Sequence, residues 1–502
     1  MWDKRKTISD IKKINRGIYA TEGTEQLRYY SMKSCISVYW KSTQRIRRKS
    51  GRWFIILLIT GTVVMSCNYF RYKYEYTGNI DLTKYPQLHG KKIFLDPGHG
   101  GKGETDPFRI GPDGIREEET NLKTALILEN MLKRAGAVIS MSRKSDKDIP
   151  LRERVDMVKA IGPDLLISLH HNGTVRRMDE VNYPSVLIWG NKEVRPLSYS
   201  FAKLLIDEFH KIMDERGKII SDFTIYTETG TMILRETRNV CPGVIGEPGF
   251  FSDEKHSMRL NDIQFNQLEA EAYFFAIAEF FNRGIPKAEV YISCPIEDRD
   301  YLRNLIDDKK PVIAIKLDSG IEGVGIDFKS LKVTYDGITV KCKRLSDDLY
   351  RVDYGKEIYP GGHSIRFSFL NMRSQSSMIY RAGFIRGVRK GDYDMLVTSG
   401  TKSVKRWRSA KEGLRMLLSA LSLGVTDPDA DRIIWNIARG FKMIGDKTTA
   451  DYYYAKLYHF YPQSRYSKRL SIRVKGYRFP VEYLGKIIRI KHDPSLSGSC
   501  GK

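Results

Sequence analysis

Apolar positions change regime several times along the chain. From Lys91 onward, short uninterrupted apolar runs alternate with stretches of helical period. Ile93-Phe94-Leu95 is too short for a helix and leads into Asp96-Pro97-Gly98-His99-Gly100-Gly101. It reads as a buried strand entering a turn whose glycines let the backbone approach a ligand closely. Asn121 to Arg134 sets Leu122, Ala125, Leu126, Leu128 and Leu132 on an apolar side, which predicts a helix with Glu117 to Glu119 at its start. Asp164 to Leu169 is a second buried strand running straight into His170-His171-Asn172; Leu204 to Met213 is helical, and Val244 to Glu247 is a third strand before Pro248-Gly249. This alternation predicts an α/β fold with a mostly parallel or mixed sheet flanked by helices. Such sheets carry their chemistry just beyond the carboxyl ends of strands, where His99, His170 and Glu247 all fall.

The pattern turns to period two after Val290. Leu331 to Tyr335 alternates, Asp336-Gly337 is a hairpin turn, and Ile338 to Cys342 alternates again. Pro360-Gly361-Gly362-His363 reads as another turn, with His363 a turn residue, before the strand Ser364 to Phe369. An immunoglobulin-like β-sandwich is the expectation. Residues 403–470 return to helical period, and Ile434, Ile437, Ala438, Phe441, Ala450, Tyr454, Leu457 and Pro462 fit one tetratricopeptide-like hairpin. A single repeat cannot bury both its faces, so the helix at 403–422 is expected to pack against it.

Charge adds a topogenic signal. The formal net charge is +24, and Met1 to Arg52 holds fourteen Lys/Arg against four Asp/Glu. Directly behind this basic lead comes the uncharged thirteen-residue run Trp53 to Met65, short of the roughly 20 apolar residues of a spanning helix. Val64-Met65-Ser66-Cys67 is similar to a lipobox, in which Cys67 would carry lipid; an uncleaved anchor is the other reading. Either way the rest of the chain is expected outside the cytoplasm, in the cell envelope. Six cysteines without a CxxC pair exclude a thiolate zinc finger. Cys294 and Cys342 fall in the β region and would either pair or remain free thiols.

Two histidines after separate strands and a carboxylate at a helix start can supply three ligands and leave one position for water, the arrangement of a hydrolytic zinc site. Spacing alone is weak evidence, because a histidine after a strand is more often structural. The motifs add more. FLDPGHGG at 94–101, GIREEETNL at 114–122, SRKSD at 142–146, LRER at 151–154, SLHHN at 168–172, MILRET at 232–237 and GVIGEPGFFSD at 243–253 occur in order. Through them residues 91–283 resemble the catalytic domain of the zinc-dependent N-acetylmuramoyl-L-alanine amidases.

The resemblance implies one Zn²⁺ held by His99, Glu117 and His170, with Glu247 as the catalytic glutamate. Glu118 and Glu119 flank the chosen carboxylate, and His171 stands where the family usually has a small residue. Alignment on Asn121-Leu122 selects Glu117, and the frame of Ser168 and Asn172 selects His170. Arg235 and Asn172 are candidates for binding the substrate. The chain then divides into a basic lead (1–52), a signal, lipobox or anchor segment (53–67), a linker (68–90), the amidase domain (91–285), the β-sandwich (286–395), the helical module (396–475) and a tail (476–502).

The implied function is hydrolysis of the amide between N-acetylmuramic acid and L-alanine in peptidoglycan, during wall turnover or daughter-cell separation. Membrane association would come through the N-terminal lipid or anchor, and an envelope protein is an expected partner of the helical module. The alternative is a weakly active or inactive envelope scaffold that binds peptidoglycan and partner proteins. Nucleic acid is not an expected partner, since helix-turn-helix, zinc-finger and aromatic RNA motifs are all missing.

Overall fold

A computed structural model describes residues 74–101, 109–174, 181–213, 216–226, 229–294, 296–298, 304–389, 391–424, 429–470, 486–487 and 489–496. The basic lead, the segment 53–67 with Cys67, and most of the tail lie outside the described residues. Among the described residues, no helix is long and apolar enough to cross a membrane.

The first layer is a six-stranded sheet. Its strands are β1 (Lys92–Pro97), β2 (Val138–Met141), β3 (Leu165–Leu169), β4 (Ser185–Ile188), β5 (Lys218–Ser221) and β6 (Gly243–Glu247), in the order β2-β1-β3-β6-β4-β5. All neighbours are parallel except β4 and β6, so the sheet is mixed. β3 and β6 are buried at every residue, which is why they read as continuous apolar runs rather than alternating ones.

Helices cover the sheet: α1 (Glu117–Arg134), α2 (Leu151–Ile161), α3 (Pro196–Met213), α4 (Met232–Thr237), α5 (Glu254–Leu260) and α6 (Ile263–Asn282). α3 begins eight residues before the run that announces it, because its first turns carry Ser198, Tyr199 and Ser200 among the apolar positions. α6 packs against both α1 and α3 and buries Phe274, Phe280 and Phe281.

Two β-sheets follow. One has five strands, ordered Cys342–Arg344, Leu349–Val352, Ile313–Asp318, Lys287–Ile292 and Ile490–His492. The other orders Ile338–Val340, Ile326–Tyr335, Gly361–Asn371, Tyr380–Arg386, Asn304–Ile306 and Glu297–Asp298, with Lys486–Ile487 paired to Tyr380–Arg386. Asp336 and Gly337 both take positive φ, 49° and 77°, and join strands that pair Tyr335 with Ile338, the expected two-residue hairpin. Asn371 Nδ2 donates to Arg283 O at 2.7 Å, and Tyr380 Oη donates to Pro286 O at 2.9 Å, tying this region to the chain just after α6.

One expectation changes and one alternative is decided. Gly361 to His363 is not a turn but the start of the strand Gly361–Asn371, and His363 is buried there, with Nδ1 2.7 Å from Asp336 Oδ2 and Nε2 2.6 Å from Tyr359 O. The glycine is present because a helix crosses it: a Cβ on Gly361 would stand 2.6 Å from Ser422 Oγ. Cys294, in the bend after the strand Lys287–Ile292, and Cys342, which begins the strand Cys342–Arg344, are both free thiols, as is Cys241.

The helical region contains α7 (Asp392–Ser403), α8 (Ala410–Leu423), α9 (Ala430–Met443) and α10 (Lys447–Phe460). α9 and α10 form a hairpin whose apolar side joins α8 through Leu414, Leu417, Ile434, Ile437, Phe441 and Leu457. Tyr453, rather than Tyr454, is the fully buried tyrosine, and its ring stacks on Phe441 with centroids 5.6 Å apart. Phe441→Ala is expected to cost about 3–5 kcal/mol, read by urea unfolding followed at the helical signal.

Candidate active site

β1, β3 and β6 are neighbours and end on the same edge of the sheet, so the residues after them converge. His99 follows β1, His170 follows β3, Glu247 ends β6, and Glu117 opens α1. His99 Nε2 lies 3.1 Å from Glu117 Oε2, and His170 Nδ1 lies 3.1 Å from Glu117 Oε1. The two imidazoles meet edge to face with centroids 4.7 Å apart. Donor atoms of all three residues fall within 4.8 Å of one another. Two neutral imidazoles and one carboxylate suit a divalent cation of borderline softness, and the three leave one side open to the cleft.

The choices among neighbouring residues resolve by direction. Glu118 is taken by Arg116, whose Nε donates to Glu118 Oε1 at 2.6 Å, and Glu119 is solvent-exposed beside the same arginine. Only Glu117 reaches the imidazoles. His171, by contrast, is buried and meets Glu269, with Nε2 3.0 Å from Oε1.

Burial would push Glu117 upward, yet His99 and His170 outweigh it and hold the carboxyl well below its usual range. Asn121 Nδ2 donates to Glu117 Oε1 at 3.2 Å, as does the backbone N–H of His171 at 3.2 Å. The close approach of the two loops demands a residue without a side chain at 98: a Cβ there would stand 2.3 Å from the His170 ring.

Two buried arginines fix the loop that carries His99. Arg154 Nη1 meets Asp96 Oδ1 at 2.7 Å and Pro97 O at 2.8 Å, while Nη2 donates to His99 O at 2.5 Å. Arg143 donates to Pro97 O at 2.9 Å, to Gly98 O at 2.7 Å and to Glu118 O at 2.7 Å. Asp96 also accepts from Ser142 Oγ at 2.6 Å and Ser168 Oγ at 2.8 Å. Ser142, Arg143 and Arg154 lie inside SRKSD and LRER, motifs without an assigned role from sequence alone.

Glu247 is 9% exposed and sits near His170. Burial raises its pKa to about 6, with His170 and the Ser185 hydroxyl acting in the opposite sense. Ser185 Oγ donates to Glu247 Oε2 at 3.0 Å, across the β4–β6 pair in which these two residues are directly opposite. Ser185 escapes sequence reading because β4 is a four-residue run without a motif.

A cleft of about 810 Å³ opens above these groups, and Arg109, Asn172, Tyr226 and Arg235 line it with the triad and Glu247. Arg235 is held in the wall: Nη1 donates to Thr229 Oγ1 at 2.8 Å and Nε to Glu236 Oε1 at 2.9 Å. Asn172 braces the floor through its backbone, which pairs with Gly249 and Phe251, and its Oδ1 accepts from Gly173 N at 2.9 Å.

Two imidazoles and a carboxylate that could bind a metal, beside a buried glutamate of raised pKa, face an open cleft, a donor set that suits hydrolysis. Residues 93–279 match the family described as N-acetylmuramoyl-L-alanine amidase. Among its relatives is the N-acetylmuramoyl-L-alanine amidase CwlM of Bacillus licheniformis, 29% identical over 205 residues that make up 40% of this chain and 72% of that protein. The germination-specific N-acetylmuramoyl-L-alanine amidase of Bacillus subtilis is 25% identical over 263 residues, covering 48% of this chain and 99% of that one. Among solved structures, the catalytic domain of CwlV from Bacillus (Paenibacillus) polymyxa var. colistinus covers 38% of this chain and 98% of its own, at 24% identity and a TM-score of 0.33.

Gly98→Ala is expected to push the His170 ring out of line and weaken divalent-metal binding about 10–100-fold, measured by competition with a chromophoric chelator. Unchanged affinity would show that the close approach is not needed for the triad.

Proposed function

We propose that this chain hydrolyses the amide between N-acetylmuramic acid and L-alanine in peptidoglycan, with one zinc ion held in the cleft by His99, Glu117 and His170. The observation that carries the reading is the convergence of these three side chains beside the buried Glu247. Zinc in such a site polarises a carbonyl and lowers the pKa of water towards neutrality.

The chain's own groups then manage protons. Glu247 accepts the proton of the attacking water, and a carboxyl with a pKa near 6 can both take and return it at neutral pH. The water oxygen bonds to the lactyl carbonyl carbon, the C–N bond breaks, and Glu247 hands its proton to the departing amine of L-alanine. Ser185 engages one carboxylate oxygen and so fixes the carboxyl plane. Arg235, already braced against Thr229 and Glu236, presents positive charge at the wall to the carboxylates of a stem peptide, and Asn172 offers its amide at the floor.

The two sheets after the amidase domain are read as an immunoglobulin-like sandwich, and the α9–α10 hairpin as one tetratricopeptide-like repeat that contacts an envelope partner. The segment 53–67, with Cys67 as lipidation site or as part of an anchor, would hold the enzyme at a membrane outside the cytoplasm. An inactive scaffold is disfavoured, because a buried carboxylate raised in pKa is costly to a fold that has no use for it.

Full-length chain incubated with purified peptidoglycan is expected to release L-alanine-headed peptides, identified by mass spectrometry, only when no chelator is present. Release of other amino termini would assign a different bond.

Glu247→Gln is expected to keep the metal and lose nearly all turnover. Its effect on stability has a definite sign. The folded pKa is raised, so the ionised carboxylate destabilises the fold above about pH 6 and ceases to do so below pH 4.5, where both states are protonated. In the metal-free protein Glu247→Gln should therefore be more stable than the unaltered chain by about 2 kcal/mol at pH 7.5. The difference should vanish near pH 4, as followed by thermal unfolding at both pH values.

A further inference from the structure

Behind the cleft lies a second cluster that the hydrolytic reading does not use. His171 follows β3, His256 lies on α5 and Glu269 on α6, and all three are buried, His256 and Glu269 completely. His171 Nε2 is 3.0 Å from Glu269 Oε1, and donor atoms of the three residues fall within 4.8 Å of one another.

The hydrogen positions follow from the neighbours. The Glu117 carboxylate can only accept, so Asn121 turns its Nδ2 to it and presents Oδ1 to His171 Nδ1, 2.8 Å away. Nδ1 must then carry the hydrogen, and a neutral His171 aims the lone pair of Nε2 at the Glu269 carboxylate. Glu269 Oε2 already accepts from Thr124 Oγ1 at 2.9 Å. Two acceptors 3.0 Å apart repel unless something positive lies between them.

A proton would serve that pair but would do nothing for His256. Among the described residues, both ring nitrogens of His256 are buried without a hydrogen-bond partner, an expensive condition for a polar ring. Burial, with His171 and Arg259 nearby, also holds its pKa well below the usual histidine value, so a lone pair is available. The ring is packed hard in place: a Cβ on Gly249 would stand 2.4 Å from its Nε2. A divalent cation satisfies all three side chains at once.

We propose that His171, His256 and Glu269 form a second divalent-cation site, of zinc-like preference, sealed inside the domain. Tetrahedral bonds of about 2.1 Å put donor atoms roughly 3.4 Å apart, a spacing of the same order as the 4.8 Å within which the observed donors fall. The Nδ1–H of His171 held by an amide oxygen is the usual support of a metal-bound histidine. Asn266, one turn before Glu269 on α6, has a buried Oδ1 without a partner among the described residues and is the candidate fourth donor. With all three side chains buried, the ion would be structural, joining α5 and α6 to the strand that leads into His170.

The test is a metal count on the full-length chain by elemental mass spectrometry after zinc loading and desalting. His99→Ala with His170→Ala dismantles the cleft site, and this double variant is expected to hold one zinc per chain and to show visible cobalt absorption after exchange. Adding His256→Leu should bring the count to zero. A double variant that folds and holds no metal, or a triple variant that keeps its ion, overturns the inference. If the double variant does not fold, the unaltered chain decides: two ions per chain support the site and one overturns it. The inference stands apart from the amidase reading, since a chain holding two ions without releasing L-alanine-headed peptides would sink only the latter.

Discussion

Glu117 is a charged group taken almost wholly out of water, and an ion in that position persists only where partners surround it on every side. Two imidazoles, an amide and a backbone N–H converge on its two oxygens. His99 comes from the end of β1, the His170 ring and the His171 N–H from the end of β3, and Asn121 from α1 itself, so the carboxylate dictates where these three stretches must meet. The glycine at 98 and the helix opening at Arg116 are consequences of that meeting point.

A second layer of charge keeps the meeting point from relaxing. Arg154 and Arg143 saturate their guanidinium groups with the carbonyls of Pro97, Gly98, His99 and Glu118, and Asp96 balances Arg154 from within the strand. Planar, forked donors suit this work better than lysine, because several fixed carbonyl directions are met by one rigid group. The catalytic loop is thus held by its backbone, leaving the imidazole of His99 to face the cleft.

Much of this was legible before any coordinates. β1, β3 and β6 announce themselves because strands buried on both faces are apolar without interruption, and His99, His170 and Glu247 stand where those runs stop. The carboxylate was harder: three glutamates in a row share one composition, the Asn121-Leu122 frame of the resemblance singled out Glu117, and the direction of the Arg116 side chain, which takes Glu118, gives the physical reason. Ser185 was invisible because β4 is short, and its partnership with Glu247 exists only through antiparallel register. The glycines at 361–362 misled for a related reason. Glycine marks both turns and places where another backbone presses close, and here Ser422 of α8 presses close. His171 carried a signal as the second histidine of a pair, yet its role depends on α5 and α6, which lie about 90 residues further along.

The sheet that begins with Lys287–Ile292 gains its outer strand only from Ile490–His492, paired in parallel after all four helices of the C-terminal region have intervened. The hydrolase-like sheet, by contrast, draws all its strands from residues 92–247. During synthesis the two halves therefore mature in a fixed order: the cleft can close its own sheet while the ribosome is still making the helices, whereas the β region keeps one edge open until nearly the whole chain has emerged. The accessory part is the late-finishing part, and the helices are a long loop-out between two edges that must find each other.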